Sequence, residues 1–125
     1  MKGVAAAAAS PVFAGGCATA SKKRAAPSER VVMAGIGMGW MGTSNIEEFL
    51  KRGDVQVVAV CDVDRNHLIA SRDMINQAYG NKDCAIYNEF EELLARNDLD
   101  AVMIALPDHW HALPAIAAAK AGLDI

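Results

Sequence analysis

No two cysteines in this chain are spaced as a metal or redox pair. The three present, Cys17, Cys61 and Cys84, match no C-x-x-C pattern, and an odd count does not suggest a disulfide framework. Cys61 lies inside a strongly apolar run, where a thiol acts as a small core residue. Long hydrophobic runs are also lacking. The stretch 4–14 is small and apolar but broken by Ser10 and Pro11, far short of the roughly 20 residues that cross a bilayer as a helix. A concentrated basic face is missing too. The formal charge is −3, with +4 on residues 1–30 and −7 on the remainder, which excludes a nucleic-acid partner because phosphate binding needs clustered cations. With 125 residues, 53 % of them apolar and 22 % charged, there is room for one ordinary small globular domain.

Residues 1–30 differ in character from the rest of the chain and are expected to be an export signal and linker. The apolar stretch has the length of a signal core, Ala18-Thr19-Ala20 offers an A-x-A cleavage site, and 21–30 is polar and basic. Ala14-Gly15-Gly16-Cys17 instead resembles a lipoprotein signal, which would place a lipid anchor on Cys17 and hold the protein in the periplasm or at a membrane. The opening Met1-Lys2-Gly3-Val4 resembles the stretch that comes after paired arginines in signals for folded, cofactor-loaded proteins. An Ala-rich tail on a cytoplasmic protein is the plain alternative.

From residue 31 the chain alternates strand and helix. The run 31–36 ends in glycines, as a buried parallel strand does. A helix comes next with Ile46, Phe49 and Leu50 on one face, closed by Gly53 as a left-handed cap. The β-branched run 55–60 is a second strand ending at Cys61-Asp62. A helix over 65–79 has Leu68, Ile75, Ala78 and Tyr79 as its apolar side and stops at Gly80. A short strand over 85–87 leads to Asn88 and Glu91, an N-x-x-E cap for a helix with Phe90, Leu93 and Leu94. The run 101–106 is a fourth strand, 112–120 a last helix ending at Gly122, and 123–125 the opening of a fifth strand. Four alternations imply an α/β fold, a Rossmann-type doubly wound parallel sheet over 31–125 that is incomplete at its C-terminal end.

Two constellations carry chemistry. Gly37-Met38-Gly39-Trp40-Met41-Gly42 is a G-x-G-x-x-G run that lies after a strand, opens a helix and has Asp62 at the end of the next strand. Gly37 permits the tight turn, Gly39 lets backbone approach a pyrophosphate, and Gly42 lets the helix pack on the strand. The helix N-terminus turns unpaired N–H groups toward phosphate. Asp62 would accept from the adenosine ribose and repel a 2′-phosphate, favouring NAD over NADP, although Arg65 three residues on offsets that repulsion if it pairs with such a phosphate. The second constellation, Leu106-Pro107-Asp108-His109-Trp110-His111, stands at the edge where ligands bind in open parallel sheets. In an extended segment His109 and His111 would point to one side, but no third or fourth ligand accompanies them, and no metal is expected. An isolated Trp such as Trp110 is ordinarily a core residue.

These motifs, together with Cys61-Asp62-Val63-Asp64 and the whole of 100–111, resemble the N-terminal domain of the Gfo/Idh/MocA oxidoreductases, especially exported members with a P-D-H-W-H-A stretch. The resemblance covers 31–125. It implies that Gly37, Gly39, Trp40, Met41 and Gly42 wrap the pyrophosphate, that Asp62 binds ribose, and that Leu106, Pro107, Asp108 and His111 line the nicotinamide end. The family usually has Thr where Leu106 stands and often Asn where Asp108 stands, so Leu106 brings no side-chain hydroxyl. Family members continue into a Glu-Lys-Pro motif, whose lysine assists proton transfer, and a second α+β domain that forms the substrate pocket. The chain is therefore expected to be a fragment with no catalytic residue of its own, inactive by itself. The implied full-length protein is an NAD-dependent oxidoreductase, NADP being the alternative cofactor, that moves hydride to or from a sugar, polyol or related carbohydrate. The resemblance leaves a homo-oligomer open. A non-catalytic dinucleotide-binding module and an S-adenosylmethionine methyltransferase are the competing readings; Gly42 and the 107–111 stretch favour the dinucleotide enzyme.

Overall fold

The computed structural model describes Gly3 and residues 26–125. The cleavage site at Ala18-Thr19-Ala20 and the lipid anchor at Cys17 lie outside the described residues. After a 3-10 turn over Pro27–Glu29, the elements are β1 (Val31–Ile36), α1 (Trp40–Leu50), β2 (Val55–Cys61), α2 (Arg65–Tyr79), β3 (Ala85–Tyr87), α3 (Phe90–Leu94), β4 (Ala101–Ile104) and α4 (Asp108–Lys120). The four strands form one parallel sheet in the order β3-β2-β1-β4. Asp124, in the stretch expected to open a fifth strand, makes an isolated parallel bridge to Ala101. The order reverses between β1 and β4, so the C-terminal ends of these two strands flank a topological switch point, the place where open α/β sheets bind ligands.

Each face of the sheet has its own core. Ile46 of α1 and Leu68 and Ile75 of α2 pack with Met33, Val55, Val57 and Val60. Leu93 of α3 and Ala118 of α4 pack on the other face with Ala34, Ile36, Ala59, Cys61 and Val102. Ile46, Leu68, Ile75 and Leu93 are fully buried, and each such side chain contributes about 1.5–3 kcal/mol relative to an exposed one. The register of β1 on β2 slips after Met33–Val57, so that Ala34 pairs with Ala59 and Val58 is the extra residue of a bulge. Consecutive residues Val58 and Ala59 therefore face the same core. The phenolic oxygen of Tyr79 accepts the Val57 N–H at 3.0 Å beside the bulge.

Several boundaries differ from the sequence reading. Gly53 is not a left-handed cap: α1 stops at Leu50, the N–H groups of Lys51 and Arg52 bond back to Glu48 and Phe49, and positive φ is confined to Gly37, Gly80 and Gly122 among the described residues. Gly80 does end α2, with φ +69°. Asn88 is not a cap: Glu89 occupies that position without a side-chain bond, and the Asn88 amide donates to the Asp62 carbonyl at 3.4 Å. Ala78 of α2 is exposed, its place taken by the buried Ser71. Strand β4 ends at Ile104 rather than 106, and α4 starts at Asp108 rather than 112, with Pro107 as its N-cap. Pro suits that end of a helix, since the N–H it lacks would have no intrahelical partner. His109 and His111 therefore lie on a helical turn rather than side by side along an extended segment. Among the described residues no helix is long and apolar enough to cross a membrane.

Candidate functional site

The glycine turn is built by contact of backbone with backbone. Gly37 has φ +84°, and its N–H donates to the Cys61 carbonyl at 2.9 Å. A Cβ on Gly37 would strike the Ala105 carbonyl and the Leu106 side chain, and one on Gly42 would strike the Gly37 carbonyl oxygen. Gly39 is different: apart from its two chain neighbours, nothing of the protein lies within 4 Å of where its Cβ would be, and its φ of −66° suits any residue. Internal packing thus accounts for Gly37 and Gly42, whereas the absent side chain at Gly39 leaves room outside the fold. Gly39 caps α1 with no side-chain bond. The Thr43 hydroxyl donates to the Met38 carbonyl at 3.0 Å, tying the turn to the first turn of the helix.

Asp62 ties that turn to the next loop. Its Oδ2 accepts the Met38 N–H at 2.6 Å and its Oδ1 the Asp64 N–H at 2.8 Å. Asp64 in turn caps α2 by accepting the Asn66 N–H at 2.7 Å. The Nδ1 of His67 stands 3.5 Å from Asp62 Oδ2, and the Asp62 side chain is only 10 % exposed.

Between the ends of β1 and β2 and the 106–110 segment lies a cleft of about 280 Å³. Of the residues expected at the site, it brings together Gly37, Asp62, Leu106 and Pro107. Gly39 and Trp40 border a second opening between α1 and α2, and Met41, Gly42, Asp108 and His111 border neither. Trp40 is almost wholly exposed, Met41 and Asp108 are exposed, and Gly42 is buried. The His111 ring is half-buried, with Nε2 3.2 Å from the Ile104 carbonyl. A carbonyl only accepts, so Nε2 carries the hydrogen, and in the neutral ring Nδ1 is left as an acceptor. Trp110 is not core: it is half-exposed at the lip of the cleft.

Val63, Asn88, Glu89, Phe90 and Pro114 also line the cleft and escaped the sequence reading. Residues 88–90 come directly after the C-terminal end of β3 on the ligand-binding edge, but it is the pairing of β3 with β2 that sets them against the cleft. Cys61 lines the floor, where burial and then the Asp62 charge push its thiol up to about 12. It remains a neutral thiol at physiological pH.

Residues 30–125 match the family model described as oxidoreductase family, NAD-binding Rossmann fold. The chain belongs to the Gfo/Idh/MocA family. Among relatives of this family, a glycosyl hydrolase family 109 protein of Stenotrophomonas maltophilia is 35% identical over 106 residues, 80% of this chain and 23% of that protein. An alpha-N-acetylgalactosaminidase of Shewanella oneidensis is 35% identical over 78% of this chain and 22% of its own length. The crystal structure of myo-inositol 2-dehydrogenase from Lactobacillus plantarum superposes with a TM-score of 0.65 at 25% identity, covering 75% of this chain and 26% of that one. The chain thus spans about a quarter of the length of these relatives. The residues fit the NAD-binding assignment of the family: the bare backbone at Gly39 and the uncapped start of α1 can take a pyrophosphate.

Proposed function

We propose that this chain forms the dinucleotide-holding part of an oxidoreductase that moves hydride between NAD and a carbohydrate or polyol. The observation that carries the reading is the contrast within the glycine turn, closed at Gly37 and Gly42 but open at Gly39. When bound, NAD supplies the hydride acceptor or donor. Gly39, with the first-turn amides of Trp40 and Met41, holds the pyrophosphate, and Gly37 and Gly42 close the turn behind it. Asp62 orients the adenosine ribose, while Leu106, Pro107, Asp108 and His111 shape the nicotinamide end. The substrate class is supported by the names of the relatives, an inositol dehydrogenase and an N-acetylgalactosaminidase. The latter favours a second reading, cleavage of a glycoside with no net oxidation of substrate. We further propose that residues 1–30 direct export, with Cys17 as a lipid anchor, on the composition of that segment alone.

The test is to titrate the intact protein with NAD, then assay it against inositols, sugars and an aryl N-acetylgalactosaminide. NAD binding with NADH formation on a polyol or sugar supports the first reading. Release of the aryl group without net NADH supports the second. Absence of NAD binding overturns both.

A further inference from the structure

We propose that Asp108 biases the site toward the oxidised cofactor. Its carboxylate meets the positive charge that the nicotinamide ring carries in NAD+ and loses in NADH. The inference rests on the proposed dinucleotide site and on no choice of substrate. The cleft runs from Asp62 and residues 88–90, past the ends of β2 and β3, to Leu106 and Pro107 past the end of β4. Asp62 takes the adenosine ribose and Gly39 the pyrophosphate, so the other half of the dinucleotide extends over the β4 side of the switch point. Asp108, the residue after Pro107 and the first of α4, is the carboxylate at that end of β4. The adjacent Leu106 and Pro107 bring no polar side chain, so Asp108 supplies the charge of this wall.

Little in the fold uses this charge. Asp54, Asp73 and Asp98 are paired with arginines, and Asp62, Asp64 and Asp100 hold backbone N–H groups. Among the described residues Asp108 has neither kind of partner: α4 starts at Pro107 without a side-chain bond, and Asp108 is exposed. No lysine or arginine borders the cleft or the second opening, so no fixed cation of these walls cancels the carboxylate. The titratable neighbours on the same turn are His109 and His111, and the latter already bonds the Ile104 carbonyl. An acid in the first turn also suits the helix dipole, but that role alone would treat both forms of the cofactor alike. The charge has a consequence for direction. Hydride transfer from NADH to a carbonyl carbon, with a proton from solvent to its oxygen, leaves the nicotinamide positive beside Asp108. The bound equilibrium is therefore weighted toward reduction of a carbonyl and against oxidation of an alcohol.

The experiment titrates NAD+ and NADH separately into the intact wild type, Asp108→Asn and Asp108→Glu. Tryptophan quenching reads the first ligand and NADH fluorescence the second. In Asp108→Asn the NADH-to-NAD+ ratio of dissociation constants should fall about fivefold, as expected for one charge pair in a partly hydrated cleft. Repulsion between Asp108 and the pyrophosphate acts on both forms and cancels in that ratio. Asp108→Glu keeps the charge and should keep most of the wild-type ratio. An unchanged ratio in Asp108→Asn overturns the assignment and leaves Asp108 as a helix-starting acid, whatever the change in stability. A ratio in Asp108→Glu equal to that of Asp108→Asn overturns it too, because charge would then not be the cause. Failure of the wild type to bind either form overturns the proposed function itself.

Discussion

Two turns face each other across the crevice, and they are made of different materials. The turn from β1 into α1 is closed by Gly37 and Gly42 against carbonyl oxygens and by Asp62 holding the Met38 amide. The turn from β4 into α4 is exposed along Pro107, Asp108, His109 and Trp110. It is held by the N–H groups of Trp110 and His111 bonding to the Pro107 carbonyl and by the His111 ring on Ile104. One side of the site is rigid and made largely of backbone, which resists substitution. The other side is made of side chains, so its chemistry can vary without loss of the fold.

The sharpest way to break this comparison is Gly42→Ala. Its methyl group collides with the Gly37 carbonyl, and because both partners are backbone-fixed the cost should reach about 3 kcal/mol. Urea unfolding of the intact protein measures it, and a loss below about 1 kcal/mol would mean that the turn is softer than its contacts imply. Next comes Asp62→Ala, which removes the acceptor of both the Met38 and the Asp64 N–H. A loss of about 2 kcal/mol is expected from stranded donors. NAD binding should weaken more than NADP binding. Stability equal to wild type would show that the turn stands without its carboxylate.

On the opposite side, His111→Phe keeps a ring but deletes the bond to the Ile104 carbonyl, and should cost about 1 kcal/mol. A thermal unfolding midpoint lowered as far as that of Gly42→Ala would erase the distinction between the two turns. The smallest effect lies away from the crevice. Arg96 donates to both Asp98 oxygens and to the Tyr87 hydroxyl at the end of β3. The guanidinium bonds hold the Asp98 carboxyl below its usual range. A depressed carboxylate adds stability above its unfolded pKa of about 3.9, and that contribution fades as pH falls through the lower folded value. Because the pair is partly exposed, Asp98→Asn should cost only about 0.5 kcal/mol at neutral pH. The gap to wild type should close in acid, and a gap that persists there would assign the effect to something other than charge.

Most of the rigid turn was legible in the sequence, because an apolar run, three spaced glycines and an acid after the next strand each have a local reason to be where they are. The opposite turn was not. Pro107 ends the strand reading, yet it caps α4, and the helix takes in 108–111 directly after it, with Pro114 and Ala118 buried. Asn88 fits a helix cap by spacing, but the Asp62 carbonyl, 26 residues away, holds it instead. The cleft wall at 88–90 becomes visible only once β3 is known to lie beside β2. Spacing along a chain reports local rules, and the departures at Asn88 and at the cleft wall come from partners distant in sequence.

The empty space at Gly39 has a consequence for how selection would act on this turn. Substitutions at Gly37 or Gly42 damage the fold and the site together, so screens for abundance and for cofactor binding would reject the same variants. At Gly39 a side chain meets nothing of the protein beyond its chain neighbours, and the backbone is already in an ordinary conformation. A library at that position scored for soluble expression would look neutral, while the same library scored for NAD retention would keep little but glycine. The middle glycine is thus the position where the history of the fold and the history of the ligand can be read separately.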